Sequence, residues 1–174
     1  TRNQLLELVK AKLSTQERPV ADLLKEVDKR GSHQLLEVLK TVIDPDDFAY
    51  AVGIAMDNHD PSVRLEALGM IPTRDLERYQ RILVSALADR AKMVRSKAVH
   101  LVARIRKPLI SESIQRRIDS PEFQGYELDE KRRFYAACAL TSTSPKRWLE
   151  QFQSNTLLAT KGQDVEGLMN GHAP

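Results

Sequence analysis

The sequence predicts an all-α protein, a right-handed α-solenoid of about four stacked antiparallel helix pairs. Apolar residues recur at spacings of three and four, and no stretch alternates long enough to make a strand. Val63-Arg64 and Val94-Arg95 stand 31 residues apart, and Ala67 and Ala98 keep that interval. Asp-Pro pairs at Asp44-Pro45 and Asp60-Pro61 are helix-start signals: the carboxylate caps free amides, and proline fills the first helical position.

The elements follow in order. Leu5, Leu6, Leu8, Val9 and Leu13 predict a helix over residues 3–13. A second runs from Pro19 through Leu23, Leu24 and Val27, and Gly31 is placed to stop it. Ser32 then caps a third, with Leu35, Leu36, Val38, Leu39 and Val42 apolar. Asp44-Pro45 opens a helix carrying Phe48, Val52, Ile54, Ala55 and Met56. Asp60-Pro61 opens the next, with Val63, Ala67, Leu68 and Ile71. Leu76, Tyr79, Ile82, Leu83, Ala86 and Leu87 make a stripe on a helix over 75–88. Residues 92–106 form another, with Val94, Ala98, Leu101, Val102 and Ile105, and Pro108 opens a shorter one. Pro121 and Gly125 mark a loop over 120–128. Asp129 caps a helix rich in small residues, and Ser144-Pro145 starts the last, with Trp148, Leu149 and Phe152 on one face.

The helix at 129–141 supplies a third copy, with Arg133, Ala136 and Leu140 lying 69 residues beyond Arg64, Ala67 and Ile71. Those 69 divide as 31 plus 38, and the surplus of seven in the second step falls in the loop at 120–128. One helix pair cannot bury its own apolar stripe, so such copies stack. The expected organisation is one domain over 1–154: an atypical cap at 1–45, the best repeats at 46–118, a closing cap at 129–153 and a flexible tail at 155–174.

The pattern D-x-x-x-x-V-R-x-x-A, met in full at Asp89–Ala98 and with Asn58 for the first Asp at Asn58–Ala67, resembles HEAT repeats. The resemblance covers roughly residues 19–153. It implies that Asp60, Arg64, Asp89, Arg95 and Arg133 belong to a structural ladder joining neighbouring repeats. The physics points the same way, because an Arg near a helix N-terminus opposes the dipole and needs a carboxylate across the stack.

Composition narrows the function classes. With 41% hydrophobic and 29% charged residues the chain can bury a core, and its apolar runs are too short to span a membrane. It begins at Thr1 without a signal-peptide core, which suggests a domain cut from a longer protein. The lone Cys138 is read as an inert core thiol, and a chain with no internal disulfide fits a cytoplasmic location. No Cys/His cluster has metal spacing, so no cofactor or metal is expected; Asp57, His59 and Asp60 are set aside because Asp60 has a capping task.

Charge is uneven. Residues 61–150 hold 18 Lys+Arg against 11 Asp+Glu, whereas residues 1–60 hold 8 against 11. Two basic stripes are the candidate binding residues: Arg74, Arg78 and Arg81, then Lys97, His100, Arg104 and Lys107. Each is either a solvated helix face, the commoner case, or a phosphate-contacting surface. Phe123, Tyr126, Phe134, Tyr135, Trp148 and Phe152 are expected to bury the end of the stack; the alternative is a groove, with Arg132, for a peptide or flipped base.

The favoured function is a non-catalytic module that binds another protein or peptide, as a scaffold or as a regulatory part of a longer chain. The alternative is nucleic-acid binding. At its extreme stands a protein like the DNA alkyl-base glycosylases that the resemblance brings in, with Trp148 and Asp129 as conceivable site residues. Bilin lyases and metal-dependent hydroxylases share such arrays, but this chain lacks the His-Glu metal pairs of the hydroxylases.

Overall fold

The computed structural model describes residues 29–154. The helix expected at 3–13, most of the helix expected at 19–29, the tail 155–174 and the side chains of Val42 and Phe152 lie outside them. The described residues form eight helices and no strand: α1 (Lys29–Val42), α2 (Pro45–Ala55), α3 (Pro61–Met70), α4 (Gln80–Ala86), α5 (Lys92–Val102), α6 (Pro108–Ile118), α7 (Leu128–Thr141) and α8 (Pro145–Ser154). The all-α class read from the spacing is what the structure shows. No described helix is long and apolar enough to cross a membrane.

The chain divides into two compact units, with the boundary inside α4 between Ile82 and Leu83. In the first, α2 and α3 pack on each other and α1 packs on both. Leu36 and Leu39 of α1, Val52 of α2 and Val63 and Leu68 of α3 are fully buried there. Each such side chain is worth about 1.5–3 kcal/mol on leaving water. In the second unit α7 is the hub, packed against α5, α6 and α8. Its core holds Val94, Val99, Ile110, Ile114, Phe134 and Cys138, with Trp148 closing it from α8.

Both Asp-Pro starts are built as the sequence indicates. Asp44 accepts hydrogen bonds from the amides of Asp46 (2.8 Å) and Asp47 (3.0 Å), and Asp60 accepts one from Ser62 (2.8 Å). Pro45 and Pro61 occupy the first helical positions.

Three local expectations differ. Helix α1 runs straight through Gly31 and Ser32 instead of stopping and restarting. Burial of Leu35, Leu36, Val38 and Leu39 outweighs the ~1 kcal/mol that an internal glycine costs. The helix expected over 75–88 is a 3-10 turn at Thr73–Asp75, a series of turns, and α4 from Gln80. Bonds from Arg78 to Asp75, Tyr79 to Leu76 and Gln80 to Glu77 close i to i+3, and that spacing still brings Leu76 and Tyr79 to the core side. Helix α7 begins at Leu128, with no side-chain cap at Glu127. Asp129, expected as that cap, lies in the first turn with its carboxylate 3.2 Å from Lys92 Nζ.

The caps leave a pH signature. Amide donors from Asp47 and Asp46 hold the Asp44 carboxyl below the ordinary value of 3.8, and the Ser62 hydroxyl and amide do the same for Asp60. The Asp44 charge pushes Asp47 above it. A carboxyl lowered by folding stabilises the fold above its unfolded value and loses that contribution as pH falls through the folded one. A carboxyl NMR titration is therefore expected to place Asp44 and Asp60 below 3.8 and Asp47 above it. Asp44→Ala should weaken the fold at neutral pH, while Asp44→Asn keeps the cap and flattens the acid limb. Asp44 titrating at or above Asp47 contradicts the capping geometry.

Candidate functional site

Arg64 and Arg95 are each the fourth residue of their helix, and both reach back over the turn before it. Arg64 Nη1 donates to the carbonyls of Asn58 (2.8 Å) and His59 (3.1 Å). Arg95 Nη1 donates to those of Asp89 (2.8 Å) and Arg90 (3.0 Å). In the same turns Asn58 Oδ1 accepts from the Asp60 amide and Asp89 Oδ1 from the Ala91 amide, each at 2.8 Å. One residue thus turns the chain through its side chain and receives the arginine through its backbone. Such turn carbonyls have no helical partner, and leaving them buried and bare costs about 1–3 kcal/mol each.

The second unit adds a carboxylate. Arg95 Nε lies 2.5 Å from Glu130 Oε1, and Nη2 lies 2.9 Å from Oε2. Glu130 is 1% exposed and sits in the first turn of α7, where the helix dipole favours an anion. The carboxylate in turn pushes the Arg95 guanidinium further up. The Tyr126 ring covers this pair with its centroid 4.0 Å from the guanidinium carbon. Sequence alignment of the copies put Arg133 in this register. Counted from the helix start, the fourth residue of α7 is Lys131, whose Nζ donates to the Gln124 carbonyl at 2.7 Å; Arg133 lies half-buried two residues on.

The loop at 120–128 folds into a 3-10 turn, Pro121–Gly125, that delivers aromatic rings to this place. Phe123 is buried, with ring centroids 5.4 Å from Tyr126, 5.4 Å from Phe134 and 5.9 Å from Tyr135. Arg117 Nε donates to the Tyr126 hydroxyl at 2.8 Å. Trp148 is buried as well, with Arg147 over its ring. Cys138 is fully buried 3.7 Å from the Ser111 hydroxyl, and burial pushes its thiol up to about 11, so no thiolate is available for chemistry near neutrality.

The two basic stripes lie in different units and in different states. In the first, Arg74 and Arg81 are exposed on separate elements, and Arg78 is bound to Asp75 at 2.6 Å and to Asp46. In the second, Lys97 and His100 are half-buried on α5, and Arg104 and Lys107 are exposed in the turn beyond it. Exposed Arg106 in that turn has φ 49°, the left-handed region. From Arg90 to Ser111 the chain carries seven Lys and Arg and no Asp or Glu.

Helix α7 supplies acids to the start of this run. Lys92 pairs with Glu127 (2.7 Å) and Asp129 (3.2 Å), and Arg95 pairs with Glu130. These pairs set the N-termini of α5 and α7 side by side. Further along, Lys97 is the sixth residue of α5 and Arg133 the sixth of α7, with Arg132 just before it. The contacts printed across the α5–α7 seam are ion pairs. Sequence reading nominated Lys97, His100 and Arg104 but missed Glu130 as the partner of Arg95. Nothing local marks a partner 35 residues away. Chemically a basic run of this kind can attract anions. Among the described residues no group of three His, Cys, Asp or Glu is placed to hold a metal.

No protein-family model matches the chain, and neither a curated protein nor a solved structure matches it.

Two outcomes test this geometry. Glu130→Ala leaves a buried guanidinium without its carboxylate and should cost about 3 kcal/mol in urea unfolding, whereas Arg95→Met with Glu130→Leu should recover most of that loss. A double variant as unstable as the summed singles would show that the pair is not one unit. Cys138 should resist a disulfide reagent at about pH 8 in the native protein and react within minutes in urea; prompt native labelling contradicts its burial.

Proposed function

We propose that this chain is a non-catalytic, HEAT-like helical-repeat module that binds another protein, its helix pairs stacking as a right-handed α-solenoid of about four pairs. The single observation that carries the reading is the repeated arginine lock. Arg64 and Arg95 hold the fourth position of α3 and α5 and bond the carbonyls five and six residues back. The packing within each unit supports it: α2 pairs with α3 and α6 with α7, while α1 lies against α3 and α5 against α7. A unit that recurs in this way extends a surface without building a pocket. Nucleic-acid binding is the second reading, favoured by the acid-free run from Arg90 to Ser111. A base-excising variant of it gains nothing from Trp148, which is buried, or from Asp129, which is held by Lys92.

The test is cross-linking and mass spectrometry on the chain captured from native extract after nuclease treatment. The expected result is one reproducible protein partner with cross-links at Lys92, Lys97, Lys107 or Lys131. Complexes that vanish with nuclease, or turnover of a small substrate by the purified chain, contradict the reading.

A further inference from the structure

We propose that one end of the second unit is a docking face for an anionic lipid surface, made by Arg104, Arg106, Lys107, Lys146 and Arg147 around Leu109. This goes beyond the interaction-module reading, because it gives the module a surface to rest on besides a protein to bind. Two turns between helices come together there. Ser111, the fourth residue of α6, has its hydroxyl 3.7 Å from the Cys138 sulfur of α7. Lys107 stands four residues before that contact and Ser142 four residues after it, so each turn begins about one helical turn away. The first turn joins α5 to α6 and carries Arg104, Arg106 and Lys107. The second joins α7 to α8, whose second and third residues are Lys146 and Arg147.

Charge is sorted along this unit. From Arg90 to Ser111, and again from Lys131 to Leu149, there is no Asp or Glu. Asp119, Glu122, Glu127, Asp129 and Glu130 gather at the opposite end, where α6 stops and α7 begins. All five cations of the face are exposed, and among the described residues Arg104, Arg106 and Lys146 have no ion-pair partner. Like charges on neighbouring turns focus a field that gathers counter-charge. An anionic leaflet supplies that charge, and each Lys or Arg near it strengthens binding about fivefold.

Leu109 favours lipid over other anionic partners. It is 54% exposed and lies directly after Lys107 and Pro108, among the cations. A nucleic-acid backbone offers nothing to an isolated leucine, whereas the acyl boundary of a leaflet takes it while headgroups meet the charges beside it. Single strands also need exposed rings for base stacking, and Trp148, next to Arg147, is buried. Headgroups form a plane and can meet both turns at once. The chain lies on the leaflet without crossing it, since no described helix is long and apolar enough to span one.

The probe is co-sedimentation of the chain with vesicles of phosphatidylcholine, alone or with about one-third phosphatidylserine, at low and physiological salt. Binding is expected on the anionic vesicles only and should weaken as salt rises. Arg104→Gln with Arg106→Gln should weaken it about tenfold or more, whereas Arg104→Lys with Arg106→Lys should stay within about twofold. Leu109→Ser should cost about threefold and leave the salt dependence in place. Arg74→Gln with Arg81→Gln, exposed sites in the first unit with the same loss of charge, should change it less than about twofold. If circular dichroism shows that the Arg104 and Arg106 variant has lost helix, Lys146→Gln is read in its place, with about a threefold loss expected. Equal binding to both kinds of vesicle, equal losses in face and control variants, or tighter binding of a labelled DNA duplex or hexaglutamate peptide than of anionic vesicles overturns the proposal. Failure on vesicles sinks only this face, since the module reading stands or falls on the protein partner captured from extract.

Discussion

A guanidinium buried at the start of a helix is in the wrong place electrostatically, since the free amides there already carry partial positive charge. Arg95 is nonetheless there, and the second unit is arranged around making it tolerable. Two turn carbonyls accept from Nη1, Glu130 takes the other two nitrogens, and the Tyr126 ring covers the flat side. Each partner comes from a different segment. The carbonyls fix the turn into α5, the carboxylate fixes α7 against α5, and the ring fixes the loop between α6 and α7. Desolvating a charge costs several kcal/mol, so any one partner alone would be insufficient.

That arrangement also uses the acids at the start of α7. Glu127, Asp129 and Glu130 are all consumed within the first turn of α7 and the residue before it. One turn on, the same side of α5 carries the buried apolar residues Ala98, Val99 and Val102. In the first unit the equivalent sixth position is Glu66, and His33 of α1 meets it at 2.6 Å. At the sixth position of α5 stands Lys97, so the charge there differs between the copies. Residues that recur between the helices hold the chain in shape.

The legible parts were those whose physics is local. Asp44-Pro45 and Asp60-Pro61 act within three residues of themselves, so their helix starts could be read directly. The apolar stripe at 76–87 was legible as burial but not as backbone, because a 3-10 turn and an α-helix put spacings of three on the same side. Gly31 and Ser32 misled because their usual stop and cap signals are weak beside four buried side chains on α1. Asp129 read as a cap from its own neighbours, but it and Glu130 both pair with another helix, through Lys92 and Arg95, and nothing local marks those partners.

The central claim is that Arg95 and Glu130 tie α5, α7 and the connecting turn into one cooperative unit. Native-state hydrogen exchange on Glu130→Gln tests it most directly. If the claim holds, amides in the first turns of α5 and α7 and in the 121–126 turn lose protection together and by similar factors, while α2 and α3 keep theirs. Loss confined to the first turn of α7, or spread evenly over both units, would contradict it.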